Sequence, residues 1–386
     1  MTFDFDQIID RRDEGSIKWD CGEKELPMWV ADMDFAVAPA VLEAMKKRIS
    51  HPCFGYTSLP KDWAAAYAGF WKDEFGAFLN EDALLFSLGI IPSLSSSIRA
   101  FSAKGDEVVL LTPVYNVFNH SVENNGRVVV PCPLLNKNEN YSIDWAALEK
   151  ALSSPKAKIL VLCNPHNPIG RIWDKDELRR IATLCKERRV LVISDEVHGP
   201  IHKEGFPYVP YMSVSDEARN NSIVLLAPTK SFNVAGVQTS ACYAENEKIR
   251  AKLAFCLNAD EVAEGNFLSY AVSTACFKEG RVWLKEMNAY VQKNYEWARS
   301  FLQAKLPKLK IAPLQATYLA WIDTRAYSVN DVAFCEKLRK ETGLWVTPGS
   351  TYGKEGGGHI RVNLACPFSR IEDGFLRLLS FCEKLL

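Results

Sequence analysis

The sequence predicts an α/β fold built on a mostly parallel sheet. Three short runs rich in leucine, isoleucine and valine lie within residues 158–227, each bounded by polar residues or by proline and glycine. Such runs are typical of strands buried on both faces. Between the first two, residues 173–189 have helical periodicity, with Asp174 and Glu177 spaced to form a capping box. A strand, a helix and a strand in this order favour parallel pairing.

Three polar side chains stand at or just beyond the ends of these strands. Asn167 follows the first run, Asp195 ends the second, and Lys230 follows the third. Because ligands of open α/β sheets bind outside the carboxyl ends of the strands, we expect the three side chains to lie together. A lysine that can form a Schiff base, a carboxylate for a pyridinium nitrogen and an amide for a ring oxygen are what pyridoxal phosphate requires. The alternative is three polar loop residues that only face water.

The rest of the chain alternates between helical and strand-like patterns. Helices are predicted over 39–49, 59–75, 141–152, 245–270, 329–342 and 368–385, with one long helix within 271–306. Further strands are predicted over 107–111, 127–132, 317–323, 344–347 and 359–364. Residues 85–92 change from a strand to a helix, with Pro92 suited to the first helical position. A length of 386 residues allows two domains.

The composition limits the kinds of partner that this protein is expected to bind. The chain is 48% hydrophobic and 24% charged, as is usual for globular proteins, and its formal net charge is -1. No bulk field therefore favours nucleic acid or an acidic membrane, so the expected partners are small molecules or a second copy of the chain. Residues 1–15 lack an apolar signal core, and we find no apolar stretch long enough to cross a bilayer. A cytoplasmic protein is expected.

Cysteine and histidine spacing argues against a metal site. The chain has 11 cysteines and no C-x-x-C pair. Buried, reduced thiols explain this pattern better than disulfides or zinc. The cysteines in or beside apolar runs are Cys132, Cys163, Cys242, Cys276 and Cys335. His198 and His202 are four residues apart, but Gly199 and Pro200 break any helix between them, and no metal is expected.

Three ordered motifs carry a resemblance to a known family. They are NPHNPIG at 164–170, DEVH at 195–198 and TKSFNVAG at 229–236. They resemble the fold-type I pyridoxal-phosphate enzymes, and within these the branch of cystathionine β-lyases that includes the maltose-regulon modulator. The resemblance extends from Trp29 to Leu364. It implies a three-layer sandwich with a mostly parallel central sheet, as in PLP transferases, plus a smaller α+β domain.

The resemblance also implies domain limits and site residues. The N-terminal segment 1–45 would join the small domain, 46–275 would form the large cofactor-binding domain, and 276–386 the small C-terminal domain. Lys230, Asp195 and Tyr115 are the expected catalytic residues. The residues expected to hold pyridoxal 5'-phosphate are Gly89, Ile90, Ile91, Tyr56, Tyr115, Asn167, Asp195, His198, Thr229 and Lys230.

Substrate binding is expected at three positions, one of which also belongs to the cofactor set. Arg361 has the bidentate fork that suits an α-carboxylate, and Asn167 and Trp29 would lie beside it. Tyr56 would reach the cofactor phosphate of a neighbouring subunit, which implies a homodimer with shared active sites. For Trp29 the alternative is a packed aromatic, and for His198 it is a structural histidine.

The implied reaction is α,β-elimination of L-cystathionine or related S-substituted cysteines to a thiol, pyruvate and ammonia. Two departures from the aspartate-aminotransferase pattern agree with this branch. His198 replaces a tyrosine three residues after Asp195, and Gln238 replaces an arginine eight residues after Lys230. The alternatives are an aminotransferase on the same fold, and a regulatory binding protein that retains the site.

Overall fold

This computed structural model of the protein describes residues 2–385. The first residue of the predicted N-terminal segment and the last residue of the predicted C-terminal domain lie outside this range. The strands of the described range are β1 (Leu26–Pro27), β2 (Leu84–Ser87), β3 (Glu107–Thr112), β4 (Val128–Pro133), β5 (Leu135–Lys137), β6 (Asn140–Ser142), β7 (Ala157–Cys163), β8 (Leu191–Asp195), β9 (Ser222–Leu226), β10 (Ser240–Tyr243), β11 (Lys310–Ile311), β12 (Leu319–Asp323), β13 (Leu344–Trp345), β14 (Thr347–Pro348) and β15 (His359–Asn363).

The helices of the same range vary widely in length. They are α1 (Pro39–Ile49), α2 (Trp63–Phe75), α3 (Ile90–Phe101), α4 (Val117–Glu123), α5 (Trp145–Leu152), α6 (Lys175–Glu187), α7 (Asp216–Asn220), α8 (Glu247–Ala259), α9 (Ser269–Glu279), α10 (Arg281–Lys305), α11 (Asp331–Thr342) and α12 (Phe368–Glu383). Short 3-10 turns occupy Glu81–Ala83, Tyr211–Ser213, Ala235–Val237, Gly349–Tyr352 and Lys354–Gly356.

A seven-stranded sheet forms the centre, in the order β2-β10-β9-β8-β7-β3-β4. All neighbouring pairs from β9 to β4 are parallel, and only β10 runs antiparallel to both of its neighbours. The predicted mostly parallel sheet is confirmed. Within β7, Ile159 and Val161 pack into one core cluster and Leu160 and Leu162 into another, because alternate side chains point to opposite faces.

Helices cover both faces of this sheet. The cluster on one face includes residues of α3, α4 and α8, and that on the other includes residues of α5 and α6. A further cluster packs α2, α9 and α10 against β2, β9 and β10. The arrangement is the predicted three-layer sandwich, in which the interior strands from β3 to β10 are buried on both sides and the edge strand β4 is partly exposed.

The unit that carries the site motifs folds as the sequence predicts. Strands β7 and β8 are parallel neighbours, with Cys163 opposite Asp195, and α6 connects them. Asp174 caps α6, and its side chain and that of Glu177 form both hydrogen bonds of a capping box. The loops after β7, β8 and β9 therefore emerge at the same edge of the sheet.

The C-terminal part builds a second sheet of four antiparallel strands, in the order β11-β12-β15-β14. Its core is shared with residues of α10, α11 and α12. Near the N-terminus, β1 pairs in parallel with β13, with Leu26 opposite Leu344. The domain boundaries at 45/46 and 275/276 stay a prediction.

Residues 28–35, here called the crossing segment, are held mainly through their backbone. The side-chain amide of Asn363 donates to the carbonyls of Val30 and Asp32, both at 2.6 Å. From the other side, Asn233 donates to the carbonyl of Met33 at 3.1 Å and accepts the Met33 N–H at 3.0 Å. The segment is thus fixed between β15 and the loop that follows Lys230.

Some predicted boundaries were wrong. The helix predicted over 245–270 ends at Ala259, and α9 begins only at Ser269. A left-handed Glu261 (φ 58°) lies between them, a conformation that no helix interior accepts. The strand predicted over 344–347 is split into β13 and β14, which pair with different partners. Pro92 is the third residue of α3 rather than the first. Proline is tolerated there because an N–H in the first turn would have no intrahelical acceptor.

The cysteine prediction is confirmed. All 11 cysteines are free thiols, and the five beside apolar runs are buried. No helix of residues 2–385 combines the length and the apolar character that a membrane crossing requires.

A buried ion cluster at the end of the crossing segment generates a stability prediction. The Asp34 carboxylate contacts Lys18 at 3.1 Å and Arg11 at 2.8 Å, and accepts the Trp19 N–H at 2.9 Å. Burial opposes its charge, but Lys18, Trp19 and Arg370 outweigh burial and lower the pKa of the Asp34 carboxyl. Because this pKa is lowered, the stabilisation is present above the unfolded-state value of ~3.9 and is lost as pH falls through the folded-state value.

We therefore expect Asp34→Asn to lower the free energy of unfolding by about 3 kcal/mol at neutral pH, since Lys18 stays buried with a weakened partner set. The difference from wild type should shrink below about pH 4. Urea denaturation across pH measures this. The control is Glu149→Gln, whose ion pair with Arg188 is half-exposed and should be worth less than about 1 kcal/mol. Equal effects of the two variants at neutral pH would contradict the prediction.

Candidate active site

A cavity of about 340 Å³ opens at the carboxyl ends of the central strands. Nine of the residues predicted from the sequence line it: Gly89, Ile90, Ile91, Tyr115, Asn167, Asp195, His198, Thr229 and Lys230. They come from parts of the chain far apart in sequence, and the parallel sheet brings them to one edge. Arg361, Trp29 and Tyr56 do not line the cavity.

Lys230 follows β9 and turns its amine into the cavity. Its Nζ donates a hydrogen bond to the carbonyl oxygen of Ala31 in the crossing segment, at 2.6 Å. Burial lowers the pKa of Lys230 to about 8; Asp32 and Asp195 act against this shift, and Arg361 adds to it. A buried amine with this pKa is partly in its free-base, nucleophilic form near neutral pH.

Asp195 is the last residue of β8 and is buried beside the same cavity. The Val197 N–H donates to its Oδ1 at 3.1 Å. Burial raises the pKa of Asp195 to about 7, although that N–H and Lys230 act to lower it. A cationic group that enters the cavity would lower this pKa again, because the cation stabilises the charged form of the carboxyl.

The start of α3 forms another wall of the cavity. The Ser93 N–H bonds the Gly89 carbonyl at 3.1 Å, so the N–H groups of Ile90 and Ile91 are left without intrahelical acceptors. Helix N-termini of this kind bind phosphate. A Cβ built on Gly89 would meet only Pro92, at an ordinary contact distance of 3.4 Å. The chain's own packing therefore does not require glycine here, and the open space is available to a ligand.

Two rings complete the walls. Tyr115 lies beyond the end of β3, and burial raises the pKa of its hydroxyl, so the ring is neutral. His198 is buried, and burial together with Lys230 and Arg361 lowers its pKa to about 3. His198 is therefore an uncharged imidazole, and its Nδ1 has no hydrogen-bond partner among residues 2–385. Both rings offer flat, uncharged surfaces to a ligand.

Arg361 lies next to the cavity, behind Asn167. It is buried on β15, and its Nη1 donates to Asn167 Oδ1 at 3.2 Å and its Nη2 to the Trp29 carbonyl at 2.9 Å. Both acceptors are neutral, and the Nε has no partner among the described residues. A buried guanidinium bound only by neutral groups retains the capacity to bind an anion.

Trp29 and Tyr56 are placed differently from the other predicted residues. Trp29 contributes its carbonyl to Arg361, while its ring stacks on Trp345 with 4.5 Å between centroids. Tyr56 is fully exposed and lies outside this chain's own cavity. The contact of Tyr56 with a second subunit stays a prediction.

Sequence reasoning missed several residues that line the cavity. They are Ala31, Leu88, Pro92, Cys163, Val197, Ala235 and Gln238. Cys163 ends β7, so the strand-end rule that selected Asp195 would also have found it. Ala31 acts through its carbonyl, which no side-chain pattern reveals. Gln238 was noted only as a departure from another pattern, yet it lines the cavity with a left-handed φ of 57°.

The residues present fit pyridoxal phosphate. The amine of Lys230 matches the aldehyde, and the carboxyl of Asp195, which accepts from the Val197 N–H while Lys230 donates to Ala31 instead, matches a ring nitrogen. The start of α3 matches the phosphate. The volume of about 340 Å³ lies within the range of small-molecule sites.

Comparison with known proteins agrees with this geometry. Residues 24–372 match the family model described as aminotransferase class I and II. Cystathionine beta-lyase PatB of Bacillus subtilis is 38% identical over 380 residues, covering 97% of this chain and 98% of that protein. Protein MalY of Escherichia coli is 33% identical, with 98% of each chain covered.

A solved structure gives the same result. Cystalysin from Treponema denticola, whose crystal structure contains a pyridoxal 5'-phosphate cofactor, superposes with a TM-score of 0.97 at 30% identity, and all of both chains is covered. Since the family model spans most of the chain and the relatives span nearly all of it, the protein is a member of the aminotransferase class I and II family.

Proposed function

We propose that this protein is a pyridoxal-phosphate-dependent carbon-sulfur β-lyase that cleaves L-cystathionine or related S-substituted cysteines. The observation that carries the proposal is the placement of Lys230 and Asp195 in one buried cavity, beside the free start of α3. PatB is named as a cystathionine beta-lyase, and the crystal structure of the Treponema relative contains pyridoxal 5'-phosphate. The first finding supports the proposed activity and the second supports the proposed cofactor. The reaction breaks the Cβ–S bond, consumes one water molecule and yields a thiol, pyruvate and ammonia.

Lys230 has two proposed tasks. Lys230 would hold the cofactor aldehyde, and its amine would also act as the general base that removes the substrate Cα proton. Its lowered pKa of about 8 suits a base that must accept a proton near neutral pH. Bound pyridoxal phosphate supplies an electron sink for the negative charge that develops on Cα. Asp195 stabilises positive charge on the ring nitrogen and so keeps that sink effective.

Arg361 is the proposed carboxylate site. A substrate α-carboxylate would replace the neutral Trp29 carbonyl as the partner of its guanidinium and could also engage the unpaired Nε. Charge-assisted, bidentate pairs of this kind are stronger than the neutral contacts they replace. Asn167 keeps its bond to Nη1 and orients the group. Trp29 and its stacked partner Trp345 lie beside this end of the site.

The phosphate end of the cavity has no arginine of its own. Its donors are the N–H groups of Ile90 and Ile91, the hydroxyl of Thr229 and the amide of Gln238. A dianion held by neutral donors gains from further hydrogen bonds. Tyr56 of a second copy of the chain is the proposed additional donor, which makes the active form a homodimer with shared sites.

An aminotransferase is the second candidate, because the family as a whole carries that description. The two activities differ in what they require. A lyase needs no second substrate, whereas amino transfer needs a keto acid as acceptor.

Incubation of the purified protein with L-cystathionine should release pyruvate and a free thiol in equal amounts without any keto acid. Lys230→Ala should reduce turnover by at least about a thousandfold, since it removes both the cofactor linkage and the base. Lys61→Ala, an exposed lysine away from the cavity, is the control and should behave as wild type. Turnover retained in Lys230→Ala would refute the proposal, and keto-acid-dependent amino transfer without pyruvate would favour the aminotransferase.

Arg361→Lys should raise KM for the amino-acid substrate by about tenfold to a hundredfold and change kcat much less, because lysine cannot form the bidentate pair. Steady-state kinetics measures both constants. The matched control is Arg179→Lys, on the partly exposed face of α6, which should leave KM unchanged. An unchanged KM in Arg361→Lys would place the carboxylate site elsewhere.

Tyr56→Phe should weaken binding of pyridoxal phosphate by about tenfold, the loss of one charge-assisted hydrogen bond. The melting temperature of the cofactor-free protein should not change, because the side chain is fully exposed in its own chain. Titration of cofactor-free protein, followed by absorbance, gives the dissociation constant. Tyr327→Phe, remote from the cavity, is the control. Equal affinity of Tyr56→Phe and wild type would remove Tyr56 from the shared site.

A further inference from the structure

A second buried cluster of titratable groups lies outside the cavity. Glu139 and Tyr141 belong to the hairpin of β5 and β6, and they meet His359 on β15 and Trp321 on β12; these four residues are here called the hairpin cluster. Glu139 Oε2 lies 3.0 Å from His359 Nε2. The Trp321 indole N–H donates to the Tyr141 hydroxyl at 2.9 Å. The rings of Trp321 and His359 stack at 4.9 Å with an interplanar angle of 8°.

Glu139 lies in the turn of the hairpin. Asn138 (φ 53°) and Glu139 (φ 62°) are both left-handed, as the two central residues of a tight two-residue hairpin turn require, and Asn136 Oδ1 accepts the Glu139 N–H at 2.8 Å. The result is a carboxyl group only 4% exposed, directed at the second sheet. A buried carboxyl group needs a hydrogen-bond partner, and His359 lies within reach of it.

The His359 ring lies between two oxygen atoms. Its Nδ1 is 3.2 Å from the Gly357 carbonyl, and its Nε2 is 3.0 Å from Glu139 Oε2. A hydrogen on Nε2 gives the buried Glu139 carboxyl a donor, so this contact joins the hairpin to β15.

Other charged and polar groups surround His359. Asp323 is the cross-strand neighbour of His359, and Arg325 pairs with Asp323 at 2.7 Å and with Glu139 at 3.3 Å. Tyr141 Oη lies 3.4 Å from Nε2. Glu139, Asp323 and His359 could in principle hold a metal ion, but the guanidinium of Arg325 already occupies both carboxylates. The cluster is a network of paired charges.

The cluster is physically connected to Arg361. His359 and Arg361 are two residues apart on β15, so their side chains project from the same face of the sheet. From that face His359 reaches Glu139 and Arg361 reaches Asn167. Trp321 is the cross-strand partner of Arg361, and Tyr352 packs against both, at 5.7 Å from the Trp321 ring and 4.8 Å from the guanidinium.

We propose that Glu139 and His359 are positioning residues for Arg361, and that the hydrogen bond between them holds the hairpin against β15 and thereby sets the place of the guanidinium beside Asn167. The inference rests on the proposed role of Arg361 in binding the substrate carboxylate. Loss of this hydrogen bond separates the hairpin from β15. Substrate binding is then weakened, while the chemical step at Lys230 is not.

The test compares KM and kcat in wild type, Glu139→Ala and Glu139→Gln. Glu139→Ala removes the contact with His359, so KM should rise by about tenfold, the factor that corresponds to ~1.4 kcal/mol, with kcat unaffected. In Glu139→Gln the amide can still form a hydrogen bond with Nε2, so KM should stay close to that of wild type.

His359→Phe keeps the stacking on Trp321 but cannot bond Glu139, and its KM should rise as in Glu139→Ala. An unchanged KM in Glu139→Ala or in His359→Phe, or variants that change kcat instead of KM, would overturn the proposal. Should wild type not turn over L-cystathionine at all, the proposed function fails separately. The dissociation constant of L-alanine, measured by absorbance titration of the holoprotein, then replaces KM with the same expected change and the same contradicting result.

Discussion

The site depends on burying an amine and a carboxyl in one cavity without joining them to each other. Lys230 donates to the Ala31 carbonyl rather than to Asp195, and Asp195 accepts from its own loop. Burial then lowers the pKa of Lys230 to about 8 and raises that of Asp195 to about 7. Burying ionisable groups that do not pair with each other is unfavourable for folding, and groups of this kind are typical of functional sites. The space between the two groups is where a flat ring with an aldehyde and a basic nitrogen fits.

The crossing segment explains how two distant sheets share one site. Its carbonyls accept from Lys230, which follows the central sheet, and from Arg361, which belongs to the four-stranded sheet. Asn233 and Asn363 fix the same segment from either side. The ion cluster around Asp34 then secures its end. The hairpin cluster supports β15 from another direction. Arg361 is therefore held by two parts of the chain, the N-terminal crossing segment and the hairpin cluster.

Local rules were sufficient for much of the fold. The α6 capping box, the buried strands β7, β8 and β9 and their parallel pairing follow from neighbouring residues, and the strand-end rule placed Asn167, Asp195 and Lys230 at one edge. What the sequence did not reveal depends on contacts between distant residues. The carbonyl of Ala31 has no sequence pattern, and Glu139 meets His359 only after both sheets have formed. No strand was predicted over 240–243, so β10 was missed altogether, and its antiparallel direction depends on the connection from β9 rather than on composition.

The proposed chemistry requires a covalent bond between one particular amine and the cofactor. Reduction of the purified holoprotein with borohydride, followed by proteolysis and peptide mass spectrometry, locates that bond. We expect a phosphopyridoxyl group on the peptide that contains Lys230, close to one per chain. An unmodified Lys230 peptide, or the same group on another lysine, would contradict the proposed function.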